Sequence, residues 1–229
     1  MNQNYVIIVA GGSGKRMDTT IPKQFLFLNG KPVLMHTIEN FYSFDDTLSI
    51  ILVLPKEHIP FWKTLCHNHS FTIPHKIIHG GSERFYSVNN AILLLPHTEN
   101  LVAIHDGVRP LVSHETIRTA FDTAKQYGNA VPVTPIIESV RQITSSGNKI
   151  INRSKLQLIQ TPQVFKCNLI CKAYAQGYSS TYTDDASVLE RMGEKIILIQ
   201  GNPENIKITR PIDLIIAEAL LNYKNSTQE

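Results

Sequence analysis

Short strands that are apolar along almost their whole length alternate with helix-period segments through the first 135 residues of this chain. Tyr5–Val9, Ser49–Leu54, Lys76–Ile78, Leu101–Ile104 and Ala130–Val133 read as the strands. Between them, Pro32–Phe41 carries Leu34, Ile38 and Phe41 on one face, and a helix is expected around His58–Cys66. Glu83–Leu95 repeats Phe85, Val88, Ile92 and Leu95 at helical spacing, and Val112–Tyr127 continues the pattern. A strand with no polar face has to be covered on both sides, so the alternation predicts an α/β fold, a mostly parallel sheet flanked by helices. The 229 residues suffice for a well-buried core, and residues 1–229 are expected to form a single domain.

The alternation stops after Pro135. Glu138–Ile143, a turn at Ser145-Ser146-Gly147-Asn148 and Lys149–Asn152 predict a β-hairpin arm spanning 136–154. Such an arm cannot bury both its faces alone, and it is read either as a surface flap or as a dimerisation arm. Beyond it lie Gln157–Gln160, helices near Asn168–Tyr174 and at Asp184–Met192, and a strand at Lys195–Gln200. A last helix is expected at Pro211–Tyr223, where Pro211 suits the first turn.

Bulk properties exclude several classes of function. Twenty-two Lys and Arg against nineteen Asp and Glu give a formal charge of only +3, which argues against a nucleic-acid partner. No run approaches the length of a membrane span, and no leader segment is expected before Tyr5. The three cysteines, Cys66, Cys167 and Cys171, have no cluster of further ligands, so zinc is not expected and a reducing cytoplasm is.

The polar residues that break the apolar pattern fall at strand ends, where open α/β sheets bind their ligands. The first strand runs into Ala10-Gly11-Gly12-Ser13-Gly14-Lys15-Arg16-Met17, followed by Pro22-Lys23-Gln24-Phe25. Small residues let backbone N–H groups approach phosphate oxygens, and the cations offset their charge. The turn lacks the Gly-Lys-Ser/Thr ending of a P-loop and the glycine spacing of a dinucleotide fold. Other strands end in Gly80-Gly81-Ser82-Glu83-Arg84 and His105-Asp106-Gly107-Val108-Arg109-Pro110, and Asn205-Ile206-Lys207 leads towards the final helix. Arg16, Lys23, Arg109 and Lys207 are expected to gather round one carboxylate, Asp106, as two phosphorylated substrates with a divalent ion between them require. Ser82 is read as a candidate cap of the following helix, and His105 as structural.

These stretches, with Thr161-Pro162-Gln163-Val164-Phe165 and Thr183-Asp184-Asp185-Ala186-Ser187, resemble the 2-C-methyl-D-erythritol 4-phosphate cytidylyltransferase family along essentially the full chain. The resemblance implies a Rossmann-like fold, a homodimer joined by the protruding arm, and Mg2+-dependent transfer of CMP from CTP in non-mevalonate isoprenoid synthesis. By position it implies that Arg16 and Lys23 stabilise the α-phosphate and that Ala10, Gly11 and Gly12 frame the nucleotide. Gly81, Ser82 and Ser87 match positions near cytosine and ribose. Asp106, Arg109 and Lys207 match residues around the acceptor and the reacting phosphates, with Lys207 among the catalytic cations. Ser139 and Arg153 would reach the acceptor from the other subunit. No protein ligand set for the metal is implied, beyond CTP phosphates with Asp106 nearby. Ser139 stands where familiar members have Thr, and Ser82 where they often have Asp.

A sister family, the ribitol-5-phosphate cytidylyltransferases, shares the Ala-Gly-Gly start, the Pro-Lys-Gln-Phe stretch and the His-Asp-x-Val-Arg-Pro segment. The arm and Thr161–Phe165 read closer to the methylerythritol phosphate enzymes. A CTP-binding sensor without turnover is the reading outside enzymes. Arg16, Lys23 and Lys207 argue against it, since a binder need not neutralise a transition state.

Overall fold

The computed structural model of the protein describes residues 3–12 and 21–226. Its centre is a parallel run of strands. β1 (Tyr5–Val9) comes first, followed by a small antiparallel pair, β2 (Phe27–Leu28) and β3 (Lys31–Pro32), and by helix α1 (Val33–Phe44). β4 (Ser49–Leu54), α2 (Ile59–Asn68), β5 (Lys76–His79), α3 (Arg84–Ile92) and β6 (Leu101–Asp106) continue the alternation. β1 pairs in parallel with β4 and with β6, and β4 with β5. α4 (His114–Tyr127) then leads into β7 (Asn129–Pro135).

The wholly apolar strands have the physical reason expected of them. In β1, Val6 and Ile8 enter one core layer and Ile7 the other. In β4, Ile50, Leu52 and Leu54 alternate with Ile51 and Val53 in the same way. The first layer packs against α1, α2 and α4 through Leu34, Ile38, Phe41, Trp62 and Phe121. The second packs against α3 through Phe85 and Val88.

After β7 the topology departs from simple alternation. β8 (Arg141–Thr144) and β9 (Gly147–Ile150) form a separate two-stranded sheet that, among the described residues, pairs only with itself. β10 (Gln157–Ile159) returns antiparallel to β7. β11 (Gln163–Lys166) is a strand that the apolar pattern does not predict. It lies antiparallel between β6 and β7. α5 (Cys167–Tyr174) and α6 (Asp185–Glu190) complete the second layer through Ile170, Val188 and Leu189. β12 (Leu198–Gln200) pairs in parallel with β7 and is shorter than the expected Lys195–Gln200. α7 (Pro211–Ser226) packs through Ala217 on a small cluster with Leu28, Val33, Val108 and Ile208. Among the described residues no helix is long and apolar enough to cross a membrane.

Two local expectations change. The residue at the start of α3 is Glu83, with no side-chain capping bond, so Ser82 is not its cap. β6 runs two residues further than expected, and His105 and Asp106 sit in register with Ile8 and Val9. α6, by contrast, starts in a full capping box, with Asp184 accepting from the Ser187 N–H and Ser187 Oγ accepting from the Asp184 N–H.

Candidate active site

Three strand ends open into one cleft. Its walls include Ala10, Gly11 and Gly12 after β1, Gly81, Ser82, Arg84 and Ser87 after β5, and Asp106 at the end of β6, with Lys23 and Lys207 from outside the sheet. Backbone bonds hold the turns: Ala10 N–H to Val53 O at 2.9 Å, Gly80 N–H to Leu54 O at 2.8 Å, and Gly107 N–H to Val9 O at 2.9 Å. The Gly81 N–H donates to Ser87 Oγ at 3.0 Å. Gly81 has no room for a side chain, since a Cβ there would lie 2.4 Å from Tyr86 Cβ.

Lys23 is buried beside the glycine turn. It opens a short 3₁₀ turn, Lys23–Phe25, and the next residue ties that turn to β1: Gln24 Nε2 donates to Ala10 O at 2.9 Å. A Cβ on Gly12 would sit 3.5 Å from Lys23 Cε, so turn and lysine are in close packing. Arg16, the other cation expected here, lies outside the described residues.

Asp106 is the anionic centre. Its Oδ2 takes Lys207 Nζ at 3.0 Å and Arg109 Nε at 3.1 Å. Burial by itself would raise the Asp106 carboxyl. Lys207, Arg84 and Arg109 outweigh that and hold it well below the usual carboxylate range. Arg109 is anchored a second time, Nη1 to Asn205 O at 2.8 Å. The expected convergence of Arg109, Lys207 and Asp106 is therefore present, and Lys23 lines the same cleft as the last two.

A second cleft adjoins the first and shares Arg84, Asp106 and Lys207 with it. Arg109, Gln160, Thr161, Gln163, Thr183 and Asp184 line it further. Arg84 stands in the dividing wall and is held by a two-point ion pair with fully buried Asp185, at 2.8 and 2.6 Å. Tyr174 adds its hydroxyl to Asp185 Oδ1 at 2.6 Å. Arg84 and Asp185 both fall within motif stretches, yet no local signal gives either of them a role. The pair spans 101 positions, and no spacing rule connects residues that far apart.

His105 is structural, as expected, and it braces the acidic end of β6. Its ring is fully buried against Phe41, centroids 4.9 Å apart. Nε2 lies 3.0 Å from Arg109 O, which can only accept, so Nε2 carries the proton. Nδ1 then accepts from the Thr161 hydroxyl at 3.0 Å, and that oxygen accepts from the Asp106 N–H at 3.1 Å. Burial pushes the ring down to about 4, so it is neutral at ordinary pH.

Ser139 and Arg153 are not brought to either cleft within one chain. Both are exposed and line a depression at the base of the arm with Val140, Ile150, Ile151 and Asn152. Arg153 donates there to the Ile137 carbonyl. Among the described residues no group of three or more His, Cys, Asp or Glu side chains could cage a metal.

The model of the 2-C-methyl-D-erythritol 4-phosphate cytidylyltransferase family matches residues 4–223. The chain is similar to the 2-C-methyl-D-erythritol 4-phosphate cytidylyltransferase of Bacteroides thetaiotaomicron, with 50% identity over 216 residues, 94% of this chain and 98% of that one. The Porphyromonas gingivalis protein of the same name is 46% identical, covering 96% and 98%. Among solved structures, the 4-diphosphocytidyl-2C-methyl-D-erythritol synthase of Anaerococcus prevotii superposes with a TM-score of 0.81 at 27% identity, covering 96% of each chain. The cytidylyltransferase of Francisella tularensis gives 0.78 at 31%, covering 95% and 99%.

The His105 geometry has a consequence for acid stability. Between pH 6.5 and about 4 the unfolded chain binds a proton at this ring that the folded chain refuses. Its contribution is therefore complete above pH 6.5 and is lost as pH falls, up to about 3 kcal/mol. Urea unfolding at pH 7 and pH 4.5 should show a smaller drop in H105Q than in the parent, the remainder belonging partly to His36 and His75, which burial also lowers. An equal drop in both proteins would show that His105 has no part in the acid sensitivity.

Proposed function

The chain belongs to the 2-C-methyl-D-erythritol 4-phosphate cytidylyltransferase family and is an enzyme of the nucleotidyltransferase kind; from that premise we propose that it transfers CMP from CTP to 2-C-methyl-D-erythritol 4-phosphate. An acceptor phosphate oxygen attacks the α-phosphorus. The bond from that phosphorus to the β-bridging oxygen breaks, and pyrophosphate leaves with the electron pair. The observation that carries this reading is the pair of adjoining clefts with Arg84, Asp106 and Lys207 in common, room for two anionic substrates that must meet.

The nucleotide takes the cleft of Ala10, Gly11, Gly12, Gly81, Ser82 and Ser87. The polyol phosphate takes the cleft of Arg109 and Thr161. Its phosphate is already an anion, so no strong base is needed. The barrier lies in joining two anions and absorbing charge on the α-phosphate, which positioned cations do best. Lys23 and Arg16 are assigned to that charge, Lys207 to the phosphates between the clefts, and Arg109 to the acceptor phosphate, which its planar fork suits. Asp106 keeps Lys207 and Arg109 converged. Asp106 and Glu83 both line the nucleotide cleft, and Mg2+ carried mainly by CTP would be met there by Asp106, lending one oxygen. When bound, the ion would draw charge from the phosphates.

The arm is assigned to a homodimer. Ile137, Ile143 and Ile150 are each about four-fifths exposed, and a lone two-stranded sheet has little stability of its own. Crossing to a second subunit would cover them and carry Ser139 and Arg153 towards that subunit's acceptor cleft. Cytoplasmic operation is supported by the three thiols, none of which forms a disulfide.

Turnover with CTP tests the acceptor directly. Methylerythritol phosphate should release pyrophosphate far faster than ribitol 5-phosphate; the reverse order would move the chain's activity to the sister reaction.

Lys23→Ala should lower kcat by about a hundredfold, from loss of about 3 kcal/mol of charge stabilisation, with a smaller effect on the KM for CTP. Steady-state kinetics decide, and a raised KM at unchanged kcat would reject the role.

Hybrid dimers test the arm. Subunits carrying Arg153→Ala are mixed with subunits carrying Lys23→Ala, and exchange is verified by native mass spectrometry. Composite sites should regain activity in the mixture, because one site of each hybrid holds both intact side chains. No recovery after verified exchange would place Arg153 in its own chain's chemistry.

A further inference from the structure

We propose that Asn205 is the positioning residue of the acceptor cleft, holding Arg109 and Lys207 in place; the inference rests on reading that cleft as the site of the phosphorylated polyol. Asn205 is fully buried. Its Nδ2 donates to Thr161 O at 2.8 Å and to Gln160 Oε1 at 3.3 Å. Its own carbonyl accepts from Arg109 Nη1 at 2.8 Å. Arg109 Nε reaches Asp106 Oδ2, and the Asp106 N–H returns to Thr161 Oγ1. The bonds close into a ring: Asn205, Thr161, Asp106, Arg109, and back to Asn205. His105 crosses it from Thr161 Oγ1 to Arg109 O.

Three stretches of chain distant in sequence meet in this ring, and each supplies part of the acceptor wall. Lys207 follows Asn205 by two residues, so the ring also sets the base from which its ammonium reaches Asp106. The residue type is specific. Two oxygens face one nitrogen, and an amide nitrogen can give each of them a proton. An aspartate would present oxygens to oxygens. Asn205 Oδ1, in contrast, is buried with no hydrogen-bond partner among the described residues. A side chain present only to fill space would not carry an orphaned acceptor, and an apolar residue would fill it at lower cost. Gln160, the second acceptor, is itself fixed by Nε2 to Asn202 O at 2.9 Å. Gly201 leaves it room, since a Cβ there would lie 2.4 Å from Gln160 Oε1.

A merely structural asparagine would lower stability and leave the kinetics alone. Asn129 provides that control: it is buried, bonds Lys195 O at 3.0 Å and the Ile197 N–H at 2.9 Å, and lines neither cleft. Melting temperature and both KM values are measured for the parent, N205A, N205S and N129A with CTP and methylerythritol phosphate. N205A should raise the KM for the polyol phosphate about tenfold or more, with a clearly smaller rise in the KM for CTP, whose cleft Lys207 also lines. N205S keeps a short donor and should fall between N205A and the parent. N129A should melt earlier with both KM values unchanged. The inference is overturned if N205A and N129A shift the KM values alike, or if Asn205 variants change only the melting temperature. Where N205A yields no folded protein, N205S decides by the same criterion. A parent enzyme without turnover would reject the acceptor reading itself.

Discussion

A buried carboxylate needs partners, and the partners of Asp106 organise this molecule's business end. The carboxylate sits at the end of β6, a strand buried along its whole length between β1 and β11. Left alone there, its charge would be costly. Lys207 and Arg109 are drawn to the same oxygen, Oδ2, from one residue stretch beside it and one about a hundred positions later. Removing both would strand the carboxylate, whose burial alone disfavours its charge. The cations that could later meet phosphate are thus already converged by an anion of the protein's own.

The rest of the fold serves to hold that end still. Apolar strands with alternating faces lock β1, β4 and β6 between two helical layers, so the turns that follow them cannot drift apart. Short polar links then register each turn against its neighbour. Gln24 ties the Lys23 turn to Ala10, Ser87 ties Gly81 to α3, and Thr161 ties β11 to Asp106. The Arg84–Asp185 pair bridges α3 and α6 across the wall between the clefts. Electrostatic preorganisation of this kind works because the supporting groups cannot relax when charge develops.

The arm follows another logic. Among the described residues its two strands pair only with each other, and its isoleucines face outwards. Nothing in the main sheet requires it. In the proposed symmetric dimer another surface would cover it, for both copies at once.

Much of this organisation is legible in the order of the amino acids. Apolar runs without a polar face dictate a covered, mostly parallel sheet, and residues that break those runs mark the strand ends where Ala10–Gly12, Lys23, Gly81, Asp106 and Lys207 meet. Local chemistry suffices because strand ends in such a sheet share one edge. The β11 strand is not legible, since four residues lying antiparallel between β6 and β7 carry no periodic signal of their own. Nor is the capping of α3, where Ser82 offers the right side chain one residue too early. The Arg84–Asp185 pair and the ring through Asn205, Thr161 and Arg109 join positions far apart along the chain. By itself the sequence determined which residues are polar where polarity is expensive. Which of them satisfy one another was decided only when the tertiary fold brought distant segments within hydrogen-bond reach, because that distance is a property of packing and not of spacing along the chain.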